Sequence, residues 1–282
     1  MTPEGYDALV PPDMAAKAEA VGAKKAAMNG MALFVLAVLA GAFISLGAVF
    51  ATTVGAGTGD LPFGVVRLLM GLAFSLGLVM VIVGGAELFT GNTLIVMAWA
   101  GGKARTADVL RNWAIVYFGN FAGSFCTAAL VYAAGQYQLG GGAVGTAALA
   151  IAHGKASVEF LPAVASGVLC NALVCLAVWM CFAARSTVDR VVAIVPPIAA
   201  FVAAGFEHCV ANMYFFPVAL FVKGGAPEFF WTAIGRRADD YPRLTWERFL
   251  VGNLLPVTLG NLIGGSVLVG ATYWFVYLRG KS

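Results

Sequence analysis

The sequence predicts an all-α membrane protein of six transmembrane helices, built as two inverted repeats of three. Three observations carry this: an excess of apolar residues, six long apolar runs, and polar interruptions at matching places in two of them. Of the 282 residues, 61% are hydrophobic and 11% are charged. A soluble domain averages about 45–50% apolar and about 25% charged. Charge this sparse does not cover the surface of a soluble globule, and apolar content this high excludes disorder. The solvent that suits this chain is a bilayer.

Residues 1–27 form a polar N-terminal segment, with Pro11-Pro12 and a helical stretch from Asp13 to Ala27. It has no short apolar core followed by a small-residue cleavage site, so no removable signal peptide is expected. Residues 28–282 form one transmembrane domain, with apolar runs near 28–52, 63–100, 108–134, 159–183, 191–222 and 249–278. A span needs about 20 apolar residues. The second and fifth runs are too long for one simple span. The second contains Glu87, Thr90 and Asn92; the fifth contains Pro196, Pro197, Glu207, His208 and Asn212. A lipid-facing helix does not carry such residues, whereas a helix broken inside the membrane does. Helices 2 and 5 are therefore expected to be interrupted.

An even number of spans puts both ends on one side. That side holds ten Lys and Arg residues and the opposite side seven, five of the seven in a loop near 223–248 that also carries acidic residues. This bias favours cytoplasmic termini.

The halves echo each other. Asn112…Gly119-Asn120…Gly123 in the third run matches Asn253…Gly260-Asn261…Gly264 in the sixth. Glu87…Asn92 matches Glu207…Asn212, and Gly41…Ser45 matches Gly167…Asn171. A second copy of three spans is necessarily upside down, so repeat one (about 28–135) and repeat two (about 159–279) form an inverted pair. The alternative is ordinary helix packing, because Gly119-xxx-Gly123 and Gly260-xxx-Gly264 are also small-xxx-small patterns.

Chemistry concentrates at the two interruptions. In Glu87-Leu88-Phe89-Thr90-Gly91-Asn92, Thr and Asn can repair a broken helix or aim donors at a ligand. Gly205-Phe206-Glu207-His208 is the counterpart, and His208 is the one side chain in an expected span that ordinarily titrates near neutral pH. A packed core histidine remains the competing reading. The five cysteines show no CxxC pair and read as small core residues. No zinc constellation, nucleophile elbow or P-loop is present, and no basic stripe points to nucleic acid. No enzyme activity, cofactor or metal is expected. Asn92 and Asn212 are followed by Thr93-Leu94 and Met213-Tyr214, which departs from the boxes of a water channel.

These segments, Gly85 to Thr93, Gly205 to His208 with Ala211-Asn212-Met213, and Gly252 to Gly265, resemble the formate–nitrite transporter family along nearly the whole chain. The resemblance implies an aquaporin-like fold and a homopentamer in the bacterial cytoplasmic membrane, with one substrate path per protomer. It implies that Thr90 and His208 face that path from the interrupted helices. It implies that Lys155 and Asn171 attract and hold the anion on the periplasmic side. Phe74, Leu78 and Phe201 match a periplasmic constriction, and Leu88, Phe89 and Val174 a cytoplasmic one. Glu207 and Asn261 lie along the same path, Glu207 fixing the backbone or the histidine rather than carrying substrate. The N-terminal segment matches one that gates the cytoplasmic opening.

The expected partner is formate or a similar small monovalent anion. Such an anion crosses an apolar slit poorly, because shedding water costs many kcal/mol. Hydrogen bonds from His208 and Thr90, and a proton supplied through His208, would let formic acid pass. Return of the proton gives an anion channel and its release gives proton coupling. Nitrite or hydrosulfide as substrate, a neutral-solute channel, and a structural or sensory subunit remain open from sequence.

Overall fold

The computed structural model describes residues 8–280; the first seven residues of the N-terminal segment lie outside them. Among the described residues the chain is helical throughout, with no strand. The elements are α1 (Pro11–Ala26), α2 (Gly30–Val54), α3 (Phe63–Gly84), α4 (Phe89–Ala100), α5 (Thr106–Ala133), α6 (Ala143–Ala156), α7 (Phe160–Ala183), α8 (Thr187–Ala204), α9 (Cys209–Gly225), α10 (Glu228–Ile234) and α11 (Arg248–Tyr277). Six of these are long and apolar enough to cross a bilayer: α2, α3, α5, α7, α8 and α11.

The second and fifth spans are interrupted as expected. Helix α3 ends at Gly85 (φ 77°) and α8 at Gly205 (φ 79°). A left-handed conformation is open to glycine at little cost, so each helix stops there and its end carbonyls take turn hydrogen bonds. Ala86 N donates to Val81 O, and Phe206 N to Phe201 O. Pro196 and Pro197 sit inside α8, not at its break.

The two repeats run in opposite directions. Helices α3 and α8 pack antiparallel, with Arg67 reaching the Ala203 carbonyl, Gly71 against Ala199, and Ser75 donating to Val195 O. Within each repeat, glycines let the flanking spans touch. A Cβ on Gly123 of α5 would stand 2.0 Å from Val38 O of α2, and one on Gly264 of α11 would stand 2.2 Å from Val168 O of α7. These are the small-residue contacts that packing in lipid favours.

The repeats also extend further than the spans. Helices α1 and α6, which precede the first span of each repeat, both carry a lysine one residue before their end, Lys25 and Lys155. Both lysines reach the interrupted helix of their own repeat, as described below. Helices α1 and α6 thus stand in like positions, each just before the first span of its repeat. Helix α1 is tied down by an ion pair between Glu19 and Lys103 and by Lys17 Nζ donating to Phe182 O at 2.9 Å. The far loop holds α10, bent by 109° from α9.

On α3 the residues facing inward include Phe74, Leu78 and Val81, while Leu68, Leu72 and Leu76 are exposed. An apolar face open on the outside matches a lipid solvent. Replacing Gly264 or Gly123 by alanine should destabilise the protein by about 1–3 kcal/mol, as overpacking does. A thermal unfolding midpoint in detergent reads this, with Gly224→Ala, where no atom lies within 4 Å, as the neutral control.

Candidate functional site

Breaking a helix inside a membrane frees backbone groups that have no water to bind. One asparagine repairs each break. At the first, Asn120 Nδ2 donates to Ala37 O (2.7 Å) and Glu87 O (3.0 Å), and its Oδ1 accepts from Phe89 N (2.8 Å). At the second, Asn261 Nδ2 donates to Gly167 O (2.8 Å) and Glu207 O (3.0 Å), and its Oδ1 accepts from Cys209 N (2.9 Å). The bonds correspond one for one. Asn261 thus repairs the break, and it lines neither of the cavities described below.

The two buried carboxylates are held in the same mirrored way. Lys25 Nζ lies 2.6 Å from Glu87 Oε1, and Lys155 Nζ lies 2.8 Å from Glu207 Oε1. Asn92 Nδ2 donates to Glu87 Oε2 and Asn112 Oδ1; Asn212 Nδ2 donates to Glu207 Oε2 and Asn253 Oδ1. Asn112 and Asn253 in turn donate to the carbonyls of Lys25 and Lys155. A charge in a membrane interior needs such a partner set. One difference stands out. Lys25 also donates to Asn92 Oδ1 at 3.0 Å, whereas Asn212 Oδ1 is buried with no donor among the described residues. Lys155 therefore keeps more of its donors free.

Thr90 and His208 meet between the breaks, with Thr90 Oγ1 3.0 Å from His208 Nε2. Both are buried, at 0% and 2% exposure. His208 Nδ1 accepts the Ala211 backbone N–H at 3.1 Å and so caps the start of α9. A nitrogen that accepts carries no proton, so the neutral ring holds its proton on Nε2 and donates it to Thr90. The Thr90 hydroxyl hydrogen is then left for another acceptor. The Thr90 carbonyl is fixed by three donors: Thr93 Oγ1 (2.6 Å), Asn171 Nδ2 (3.3 Å) and Cys175 Sγ (3.4 Å).

A cavity approaches this pair from each side. The one on the side away from the termini, about 480 Å³, is lined by Arg67, Lys155, Glu207 and His208, with Phe74 and Phe201 among its apolar walls. The one on the side of the termini, about 300 Å³, is lined by Lys17, Lys25, Glu87 and Arg190, with Leu78 and Leu88. Thr90 lines neither. Phe74 and Phe201 meet edge to face at 5.7 Å, and Phe201 stacks on His208 at 5.9 Å.

This sorts the expected residues. Phe74, Phe201, Lys155, Glu207 and His208 share the far cavity, and Leu88 lies on the near one. Leu78, grouped in sequence with Phe74, lies on the near cavity beside Leu88, because it is a full turn further along α3. Phe89 and Val174 line neither cavity; Phe89 packs edge to face on Tyr117 at 4.9 Å. Asn171 also lines neither, and its amide is spent on Thr90 O and, at 2.6 Å, on Asn261 O. From this position its amide holds the Thr90 carbonyl. The structure adds Lys25, Arg67, Thr93, Cys175 and Asn253 to the site. In the sequence, Asn253 is marked by its repeat partner Asn112, and Thr93 closes the Gly85-to-Thr93 segment.

Removing one half of a buried ion pair leaves a charge unpaired. Glu207→Leu should destabilise the protein by about 3–5 kcal/mol, and adding Lys155→Met should restore part of it. Thermal midpoints of the single and double variants in detergent check this.

The chain is similar to known proteins along nearly its full length. The family model described as formate/nitrite transporter matches residues 12–275. The chain is 44% identical over 274 residues to the formate channel FocA of Escherichia coli, covering 97% of this chain and 96% of that one. It is 40% identical over 263 residues to FocA of Haemophilus influenzae, covering 93% of each. Among solved structures, a pentameric formate channel with formate bound matches with a TM-score of 0.85 and 48% identity, over 89% of this chain and 98% of that one. An ion channel of the same family matches with a TM-score of 0.80 and 30% identity, over 94% and 98%. The fold, the paired interruptions and this likeness lead to one conclusion: the chain belongs to the formate/nitrite transporter family.

Proposed function

We propose that this protein is a channel for formate and similar small monovalent anions, a homopentamer in the bacterial cytoplasmic membrane with its termini in the cytoplasm. The observation that carries this is the buried Thr90–His208 pair, with one basic, apolar-walled cavity reaching His208 from the far side and a second ending at Leu88 and Gly91, the neighbours of Thr90 in the chain, on the near side. The relatives named as formate channels favour formate over nitrite. The inward bias of Lys and Arg favours cytoplasmic termini.

The path works in three steps. Basic side chains raise the local concentration of the anion in the far, periplasmic cavity. Phe74 and Phe201 then strip water from it, which a bare anion resists. The Thr90 hydroxyl, freed because its oxygen already accepts from His208 Nε2, donates to the carboxylate and offsets part of that cost. The same interactions operate in reverse from the cytoplasmic cavity, where Leu78 and Leu88 form the apolar wall.

Proton transfer from His208 has a structural condition. Giving up the Nε2 proton leaves an imidazolate unless Nδ1 has first gained a proton. Nδ1 is occupied by the Ala211 N–H. A proton enters there only when the ring leaves that amide and the first turn of α9 loses its cap. Anion passage with His208 neutral is thus the resting mode, and proton-coupled passage requires this local opening.

Two variants test the reading in proteoliposomes. Thr90→Val should lower formate flux in both directions by about tenfold, the loss of one hydrogen bond of about 1–1.5 kcal/mol. Normal flux would reduce Thr90 to a structural role. His208→Phe should remove the pH-dependent part of formate uptake while pentamers persist, and an unchanged pH dependence would take His208 out of the mechanism.

A further inference from the structure

The far cavity contains two cations, Arg67 and Lys155, and one carboxylate, Glu207. Lys155 is already an ion pair with Glu207 at 2.8 Å, the two side chains 17% and 5% exposed. From a distance such a pair acts as a dipole, whose pull on an approaching anion falls off faster than that of a lone charge. Of the two cations, Arg67 is the one with no ion-pair partner among the described residues.

Arg67 stands near the start of α3, half-buried. Its Nε donates to Ala203 O at 3.2 Å and its Nη2 to Val202 O, both in the last turn of α8. A helix end of this kind carries the negative half of the helix dipole and repels an anion. The guanidinium covers it. Its Nη1 has no protein acceptor among the described residues and is left for the cavity.

The other side has a similar set of charges. Lys25 is paired with Glu87 at 2.6 Å. Arg190, near the start of α8, lines the near cavity beside Ile82 and Gly85, where α3 ends. Arg67 is thus bonded to the carbonyl end of α8, and Arg190 shares the near cavity with the end of α3.

We propose that Arg67, with Arg190 as its counterpart, supplies the steering charge that draws the anion into the path, by offsetting the carbonyl end of the opposing half-helix. Lys155 and Lys25 act later, as donors that the anion meets inside. This rests on the anion-channel reading above.

The test is formate entry from the far side into proteoliposomes holding pentamers of one orientation. It is run at low and high salt, where the screening length is about 30 Å and about 3 Å. Arg67→Gln should raise the half-saturating formate concentration roughly threefold to tenfold at low salt, and the difference should vanish at high salt. Arg67→Lys keeps the charge but not the two-point contact with α8, and should stay within about twofold of the parent at both salts. Equal behaviour of Arg67→Gln and the parent at low salt would overturn the proposal. So would a salt-independent loss shared by both variants, which marks a purely structural cap. Should Arg67→Gln fail to assemble, Arg190→Gln read from the opposite side gives the same two outcomes. Parent pentamers without formate flux would overturn the channel reading itself, whereas formate flux indifferent to Arg67 overturns only this proposal.

Discussion

The structure depends on satisfying two broken helices where no water can help. Each break frees backbone groups and places a carboxylate inside the membrane domain. Asn120 and Asn261 answer the first problem with three hydrogen bonds apiece, and Lys25 and Lys155 answer the second. An unsatisfied polar group in hydrocarbon costs several kcal/mol, so neither break is tolerable without its repair. The repairs come from other spans and from the helix that precedes each repeat. This explains why the repeat includes α1 and α6: without the lysine, the break would carry an unpaired charge.

With the breaks secured, their ends become usable. The first break delivers Thr90 and the second delivers His208, and they meet because the repeats are inverted and their interrupted helices run antiparallel. The mirror relation is kept in the scaffold and dropped at the meeting point. His208 stands where the first break has Leu88, and Thr93, Asn171 and Cys175 all donate to the Thr90 carbonyl. A symmetric frame thus holds an asymmetric pair, a donor with its orienting ring, between two cavities.

Much of the frame was legible in the sequence. The six spans follow from apolar length, and the two interruptions from Glu, Asn and Gly where lipid forbids them. The match of Glu87…Asn92 with Glu207…Asn212 points to the equivalent breaks after α3 and α8. The partners of those glutamates were not legible. Lys25 lies 62 residues before Glu87 in a polar stretch, and Lys155 lies 52 before Glu207 in a loop-like one. The facings of Leu78, Phe89, Val174 and Asn171 were not legible either. In helices apolar all round, polarity does not mark which side meets the path, so adjacent residues on one span look alike. Arg67 gave no signal because its function depends on a helix end 136 residues away.

The central claim is that the Thr90–His208 pair passes a small monovalent anion, formate before others. Its most direct test compares formate and nitrite flux in the same proteoliposomes at two pH values. The account predicts formate flux above nitrite flux, with a pH-dependent change in the formate flux. Nitrite above formate would contradict the substrate assignment, and no flux of either through intact pentamers would contradict the anion path itself.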